Sequence, residues 1–145
     1  PENFWLPGDM DHANGADTLT DLLICVDDVE EAVGRYETFF GTEAITMAGL
    51  HTLDLARGRF HFVTPEQAQA MLPGFTGPTL RYTCGQGLGS LDLAESKAFF
   101  GMAGVPAVYE DDNFFCIGPG DAMGAYLLFH DKAVDAPWPS LAERQ

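Results

Sequence analysis

An internal repeat constrains this chain more than any other feature. The stretch Thr18-Leu19-Thr20-Asp21-Leu22-Leu23-Ile24-Cys25-Val26 leads through an acidic helix start to Phe39-Phe40-Gly41, and Thr79-Leu80-Arg81-Tyr82-Thr83-Cys84 leads to Phe99-Phe100-Gly101. The two Phe-Phe-Gly triplets lie 60 positions apart. Each copy reads as a strand, a helix and three short strand-like runs broken by Gly or Asp/Asn. A unit of this kind cannot bury its apolar face alone, so two copies are expected to pack around a shared core with any ligand site between them. The expected fold class is α+β, two βαβββ modules forming one curled mixed sheet.

Local signals place the elements. The nearly continuous apolar run Leu22, Leu23, Ile24 and Val26 predicts a strand buried on both faces. Asp28 followed three residues later by Glu31 is a capping-box pattern. Val29, Val33, Tyr36 and Phe40 recur at helical spacing, and Gly41 suits a left-handed stop. Strands are predicted at 43–47, 50–56 and 59–64, and a short connecting helix at 66–72. The second copy predicts a strand at 79–85, a helix at 91–100 and strands at 107–110, 113–117 and 125–130. Gly85-Gln86-Gly87-Leu88-Gly89 lacks the Lys-Ser/Thr of a phosphate-binding loop and reads as a widened loop before the second helix. Residues 1–17 read as a linker or edge segment, 18–130 as the domain (modules 18–75 and 78–130), and 131–145 as a peripheral C-terminal tail.

Charge and cysteines exclude several classes of partner. With 22 acidic against 7 basic residues the formal charge is −15, which repels nucleic-acid backbones and anionic membrane surfaces. No apolar run approaches the roughly 20 residues of a membrane helix. Cys25, Cys84 and Cys116 each sit in an apolar strand pattern without Cys-x-x-Cys spacing, which predicts buried reduced thiols and no zinc or dithiol centre. A cytoplasmic location is expected. The opening Pro1-Glu2 is neither an initiator Met nor the basic start of a signal peptide, and it predicts a piece of a longer chain.

Leu22-Leu23-Ile24-Cys25-Val26-Asp27-Asp28-Val29, with Ala32-Val33, Tyr36 and Phe40-Gly41 downstream, resembles the opening strand and helix of the vicinal-oxygen-chelate superfamily of glyoxalases, extradiol dioxygenases and bleomycin-resistance proteins. His12-Ala13-Asn14-Gly15-Ala16, with Pro1-Glu2 and Trp5, is similar to the segment leading into the second half of a two-half bacterial glyoxalase-like family. The resemblance covers about residues 1–130 and implies an eight-stranded sheet curled around a cavity. In the superfamily's metalloenzymes, a His or Glu from the first and last strand of each module converges on a divalent ion. Matched residue by residue, those places fall at Asp21, at His61, at Leu80 or Arg81, and at Leu127 or Leu128.

Only Asp21 and His61 are ligand-compatible, fewer than the three protein ligands usual in a catalytic site, so no resident metal is expected. The alternative is Zn, Mn, Ni or Fe held at Asp21 and His61. Aligning the triplets makes Asp21 and Arg81 equivalent, and predicts a carboxylate–guanidinium pair in the cleft in place of a metal. Tyr82 and Tyr126 join Asp21, His61 and Arg81 as pocket candidates. His12 is expected to pack the junction, while His51 and His130, near strand ends, are expected in solvent. The leading functional expectation is a pocket-bearing or scaffolding half of a larger protein, partnered by an upstream half, with a homodimer or a small-molecule ligand also open. The alternatives are a metal-dependent lyase, isomerase or dioxygenase-type enzyme, and a protein that sequesters a cationic small molecule as bleomycin-resistance proteins do.

Overall fold

A computed structural model describes residues 11–77 and 81–144. The first module comprises β1 (Ala16–Cys25), α1 (Val29–Phe40), β2 (Ile45–Met47), β3 (Leu50–Leu55) and β4 (Gly58–Val63). A connecting helix α2 (Pro65–Met71) leads to the second module, β5 (Tyr82–Ser90), α3 (Leu93–Met102), β6 (Ala107–Glu110), β7 (Phe114–Ile117) and β8 (Tyr126–Asp131), and α4 (Pro137–Ala142) follows. The strands form one eight-stranded mixed sheet in the order β2-β3-β4-β1-β5-β8-β7-β6. Parallel pairs β1/β4 and β5/β8 flank the antiparallel junction β1/β5. Among the described residues, no helix is long and apolar enough to cross a membrane.

The modules are related by a pseudo-twofold at that junction. Asp28 caps α1 and Asp92 caps α3, each carboxylate accepting backbone N–H groups of its helix's first turn. These caps are 64 positions apart, and the same offset turns the β1/β5 pair Asp21–Gly87 into Gly85–Leu23. In the flanking parallel pairs, Asp21–Arg59 then corresponds to Gly85–Tyr126. The Phe-Phe-Gly triplets are therefore not equivalent. Gly41 ends α1 at φ 66°, whereas Gly101 lies inside α3, which runs on to Met102.

One face of the sheet packs on α1 and α3. Ala32 and Val33 bury against Ile24, Val26, Leu53 and Phe62, and Phe100 lies edge-on against Phe115 and Phe129. The opposite, inner face carries Leu23, Cys25, Val63, Cys84, Phe114, Cys116, Tyr126 and Leu128, and is closed by side chains of α2 and α4. The three cysteines are buried free thiols.

Three sequence expectations are corrected. The glycine-rich run 85–89 is strand, not loop: glycine weakens a strand chiefly by offering nothing to pack, and here neighbouring side chains fill the space its missing Cβ atoms leave. The tail is not peripheral, because Pro137, Trp138, Pro139 and Leu141 of α4 are buried on the inner face. His130 is not in solvent but 2% exposed, since it points inward from β8. Of the strand expected at 79–85, residues 79 and 80 lie outside the described residues. His12 is exposed, and its carbonyl accepts from Gly15 N at 2.8 Å.

Candidate functional site

The parallel pairing of β1 and β4 sets Asp21 opposite Arg59 and Leu23 opposite His61, so Asp21 and His61 meet on the inner face. His61 Nε2 lies 2.8 Å from Asp21 Oδ1, and His61 Nδ1 lies 2.8 Å from Thr52 Oγ1 on β3. Nε2–H donates to the carboxylate, and Nδ1 shares a hydrogen bond with the Thr52 hydroxyl, which also reaches the Leu50 carbonyl at 3.4 Å. All three residues are buried, with His61 and Thr52 at 0% and Asp21 at 1% exposure. Arg59 Nη1 stands 3.9 Å from Asp21 Oδ1, while the rest of its guanidinium meets Asp54 and Asp135. Asp21 Oδ2 is buried without a hydrogen-bond partner among the described residues, and it faces β5 where a Cβ on Gly87 would come within 3.3 Å of it.

The second module does not reproduce this arrangement. Across the pseudo-twofold, Asp21 corresponds to Gly85 and His61 to Leu128, which removes two of the four places where the superfamily's metal ligands would stand. The indole of Trp138 lies over Gly85, its ring carbons 2.6 and 2.7 Å from where a Cβ would be. Leu128 is an apolar core residue at 0% exposure. A divalent ion does not fit these residues: both His61 nitrogens are engaged, Oδ1 of Asp21 is taken by His61, and a guanidinium stands beside the carboxylate. Among the described residues, no group of three or more His, Cys, Asp or Glu side chains converges as a metal site.

Arg81, expected to face Asp21, does not. It precedes β5 at φ 63°, is exposed, and donates to both oxygens of Asp27 at 3.0 and 3.3 Å. The four-residue difference between triplet spacing and cap spacing misplaced it. The repeated cap motif, Val26-Asp27-Asp28 against Ser90-Leu91-Asp92, was the sequence signal that would have pointed to Gly85. Tyr126 is buried, and its hydroxyl donates to the Pro73 carbonyl at 2.9 Å, an anchoring role. Tyr82 is half-buried against the inner core, and burial pushes its phenol up to about 12.

Sequence reasoning missed Thr52, Arg59, Thr20, His130 and Trp138. His130 Nε2 lies 2.8 Å from Thr20 Oγ1, and its Nδ1–H donates to the Asp131 carbonyl. Beside them opens a cleft of about 390 Å³ lined by Arg59, Lys132, Thr18, Asp17 and Asp135. Its cations are neutralised within it, Lys132 by Asp17 at 2.7 Å and Arg59 by Asp135 at 2.9 Å.

Burial in apolar surroundings pushes the Cys84 and Cys116 thiols up to about 12. An unfolded thiol ionises at about 8.5, so these folded values are raised. Their contribution is complete below about pH 8.5 and is lost as pH climbs toward 12, with a slope of up to about 1.4 kcal/mol per pH unit per thiol. Urea midpoints under reducing conditions are therefore expected to fall between pH 8 and pH 10, and a Cys84→Ala/Cys116→Ala variant should lose most of that fall. Equal midpoints at both pH values for the unaltered protein would contradict it.

The sequence matches no protein-family model and no curated protein. Solved structures do match. Methylmalonyl-CoA epimerase from Mycobacterium tuberculosis superposes with a TM-score of 0.64 at 17% identity, covering 86% of this chain and 94% of that one. A variant of Streptomyces coelicolor methylmalonyl-CoA epimerase in complex with 2-nitronate-propionyl-CoA gives 0.57 at 15% identity over 82% and 99%. A hypothetical protein, BH1468 from Bacillus halodurans C-125, gives 0.62 at 15% identity over 82% and 96%. Likeness at this identity speaks for architecture, and it agrees with the pseudo-twofold, the paired βαβββ modules and the strand order: the chain has the vicinal-oxygen-chelate, glyoxalase-like fold.

Proposed function

We propose that this chain is a glyoxalase-like module without a metal centre of its own, serving as the scaffolding half of a larger assembly. The observation that carries this reading is the fate of the four ligand places: Asp21 and His61 bind each other, Gly85 lies under an indole, and Leu128 is core. A catalytic divalent ion needs about three protein donors and an open position. The Arg59 guanidinium also repels a cation near Asp21 in surroundings that screen little.

The test is metal content and its effect on stability. Purified protein is expected to hold substoichiometric Zn, Mn, Ni and Fe, and chelator should leave Tm unchanged, since no tight native-state ligand is removed. Stoichiometric metal that is lost on His61→Ala would overturn the reading. A second reading, a metal-dependent isomerase, draws on the epimerase structures and on Asp21 and His61 standing at the first module's ligand places. Epimerisation of methylmalonyl-CoA with added Mn or Co separates the two, and no turnover is expected.

A further inference from the structure

Packing explains two of the three glycines of β5 and leaves the third unexplained. Gly85 lies under the Trp138 indole, and a Cβ on Gly87 would stand 3.1 Å from both Asp21 Cβ and Thr20 Oγ1. Gly89 differs. The atoms nearest to its missing Cβ are Thr18 O and Thr20 Cγ2 at 3.7 Å, an ordinary contact distance, and its φ lies outside the left-handed region. Glycine weakens a strand because it orders a freer backbone and packs nothing, so neither crowding nor conformation calls for it at this position. What its missing side chain leaves is open floor in the cleft of about 390 Å³ beside His130, a volume in the range of small-molecule sites.

The charge facing this cleft is balanced. Lys132 Nζ lies 2.7 Å from Asp17 Oδ2, and Arg59 Nη2 lies 2.9 Å from Asp135 Oδ1. Behind them both ring nitrogens of His130 have protein partners, the Asp131 carbonyl and the Thr20 hydroxyl, so recognition falls to the two ion pairs. Arg59 is fixed, because it also reaches Asp54 and Asp21 and its side chain is only 19% exposed. Lys132 and Asp17 are held by less: their side chains are 55% and 36% exposed, and a pair in that setting contributes little and opens readily. A simple anion would meet Asp17 and Asp135 in a chain of net charge −15, and a simple cation would meet Lys132 and Arg59. A ligand with both charges a few bonds apart replaces the Lys132–Asp17 pair by two pairs and strands neither side chain.

We propose that this cleft binds a free α-amino acid, with its carboxylate on Lys132, its ammonium on Asp17 and its side chain over Gly89 against Val134. The cleft uses none of Asp21, His61, Gly85 and Leu128, and it needs no movement of the main chain. It therefore stands apart from the metal-free reading, which chelation and metal analysis test alone.

Thermal denaturation with each of the common L-amino acids at millimolar concentration is the test. At about tenfold its Kd, the amino acid that fits should raise Tm by about 3 °C. Acetate and methylamine, each carrying one of the two charges, should give no shift at the same concentration, and neither should the N-acetyl or amide derivative of the active amino acid. Lys132→Met and Asp17→Asn should each weaken binding by about tenfold or more, as expected for losing a charged partner. Gly89→Val should fold with Tm no lower than the parent and lose the ligand-induced shift, because its side chain fills the floor. A panel in which no amino acid shifts Tm overturns the proposal. Equal shifts from acetate or methylamine overturn the two-charge recognition, and shifts that survive Gly89→Val overturn the location. If Gly89→Val does not fold, Lys132→Met, at an exposed position, decides the location by itself.

Discussion

Asp21→Ala is expected to destabilise the protein by about 3–5 kcal/mol, the cost of leaving one partner of a buried polar network alone. Without the carboxylate, His61 Nε2–H has no acceptor 2.8 Å away, and Arg59 loses the innermost of its three carboxylates. Replacing Asp21 and His61 together by leucine should be milder, because shape is roughly kept and the one buried hydroxyl that loses a partner, Thr52, still reaches the Leu50 carbonyl at 3.4 Å. Urea unfolding of Asp21→Leu, His61→Leu and the double Asp21→Leu/His61→Leu gives the coupling directly. A single-mutant cost within about 0.5 kcal/mol, the range of ordinary surface positions, would show that the network adds nothing. The same cycle between Asp21 and Arg81 should show no coupling, because Arg81 is exposed and paired with Asp27.

Gly85→Ala is expected to cost about 1–3 kcal/mol, an overpacking penalty, and to loosen α4 at the same time. The new methyl would stand 2.6 Å from a ring carbon of Trp138, which is rigid and walled in, and 3.3 Å from Leu23 Cβ. Backbone conformation is not the obstacle here, since Gly85 has an ordinary strand φ. Trp138→Leu should relieve most of the penalty, so the two changes combined should cost less than their sum. An additive result, or a Gly85→Ala protein as stable as its parent, would mean that the indole does not press on β5 as described.

Much of the fold was legible because its signals are local. Asp28 with Glu31, Gly41, and the apolar run ending at Val26 specify strand, helix and stop by capping chemistry and periodicity, and those elements stand where they were expected. The repeat predicted two modules, and the sheet contains two. Asp21 and His61 were named from one strand each, and the register of β1 on β4 brings them to 2.8 Å. Arg81 failed for a specific reason: the Phe-Phe-Gly triplets sit at different points of their helices, so aligning them shifted the second strand by four residues.

Residue order by itself determined that this chain makes two βαβββ units with an acidic composition, buried thiols and only two ligand-compatible residues at the superfamily's metal places. Those properties follow from side-chain chemistry summed over short windows, where each residue's preference is its own. What closes the inner face was decided only in three dimensions. Trp138 reaches Gly85 from 53 positions further along the chain, and nothing near either residue marks the other. Glycine in a strand reads as a break until a distant side chain occupies the place of its missing Cβ, and a Pro-Trp-Pro tail reads as solvent-facing until a groove exists to receive it. Burial, pairing and the orphaned indole N–H are properties of that meeting.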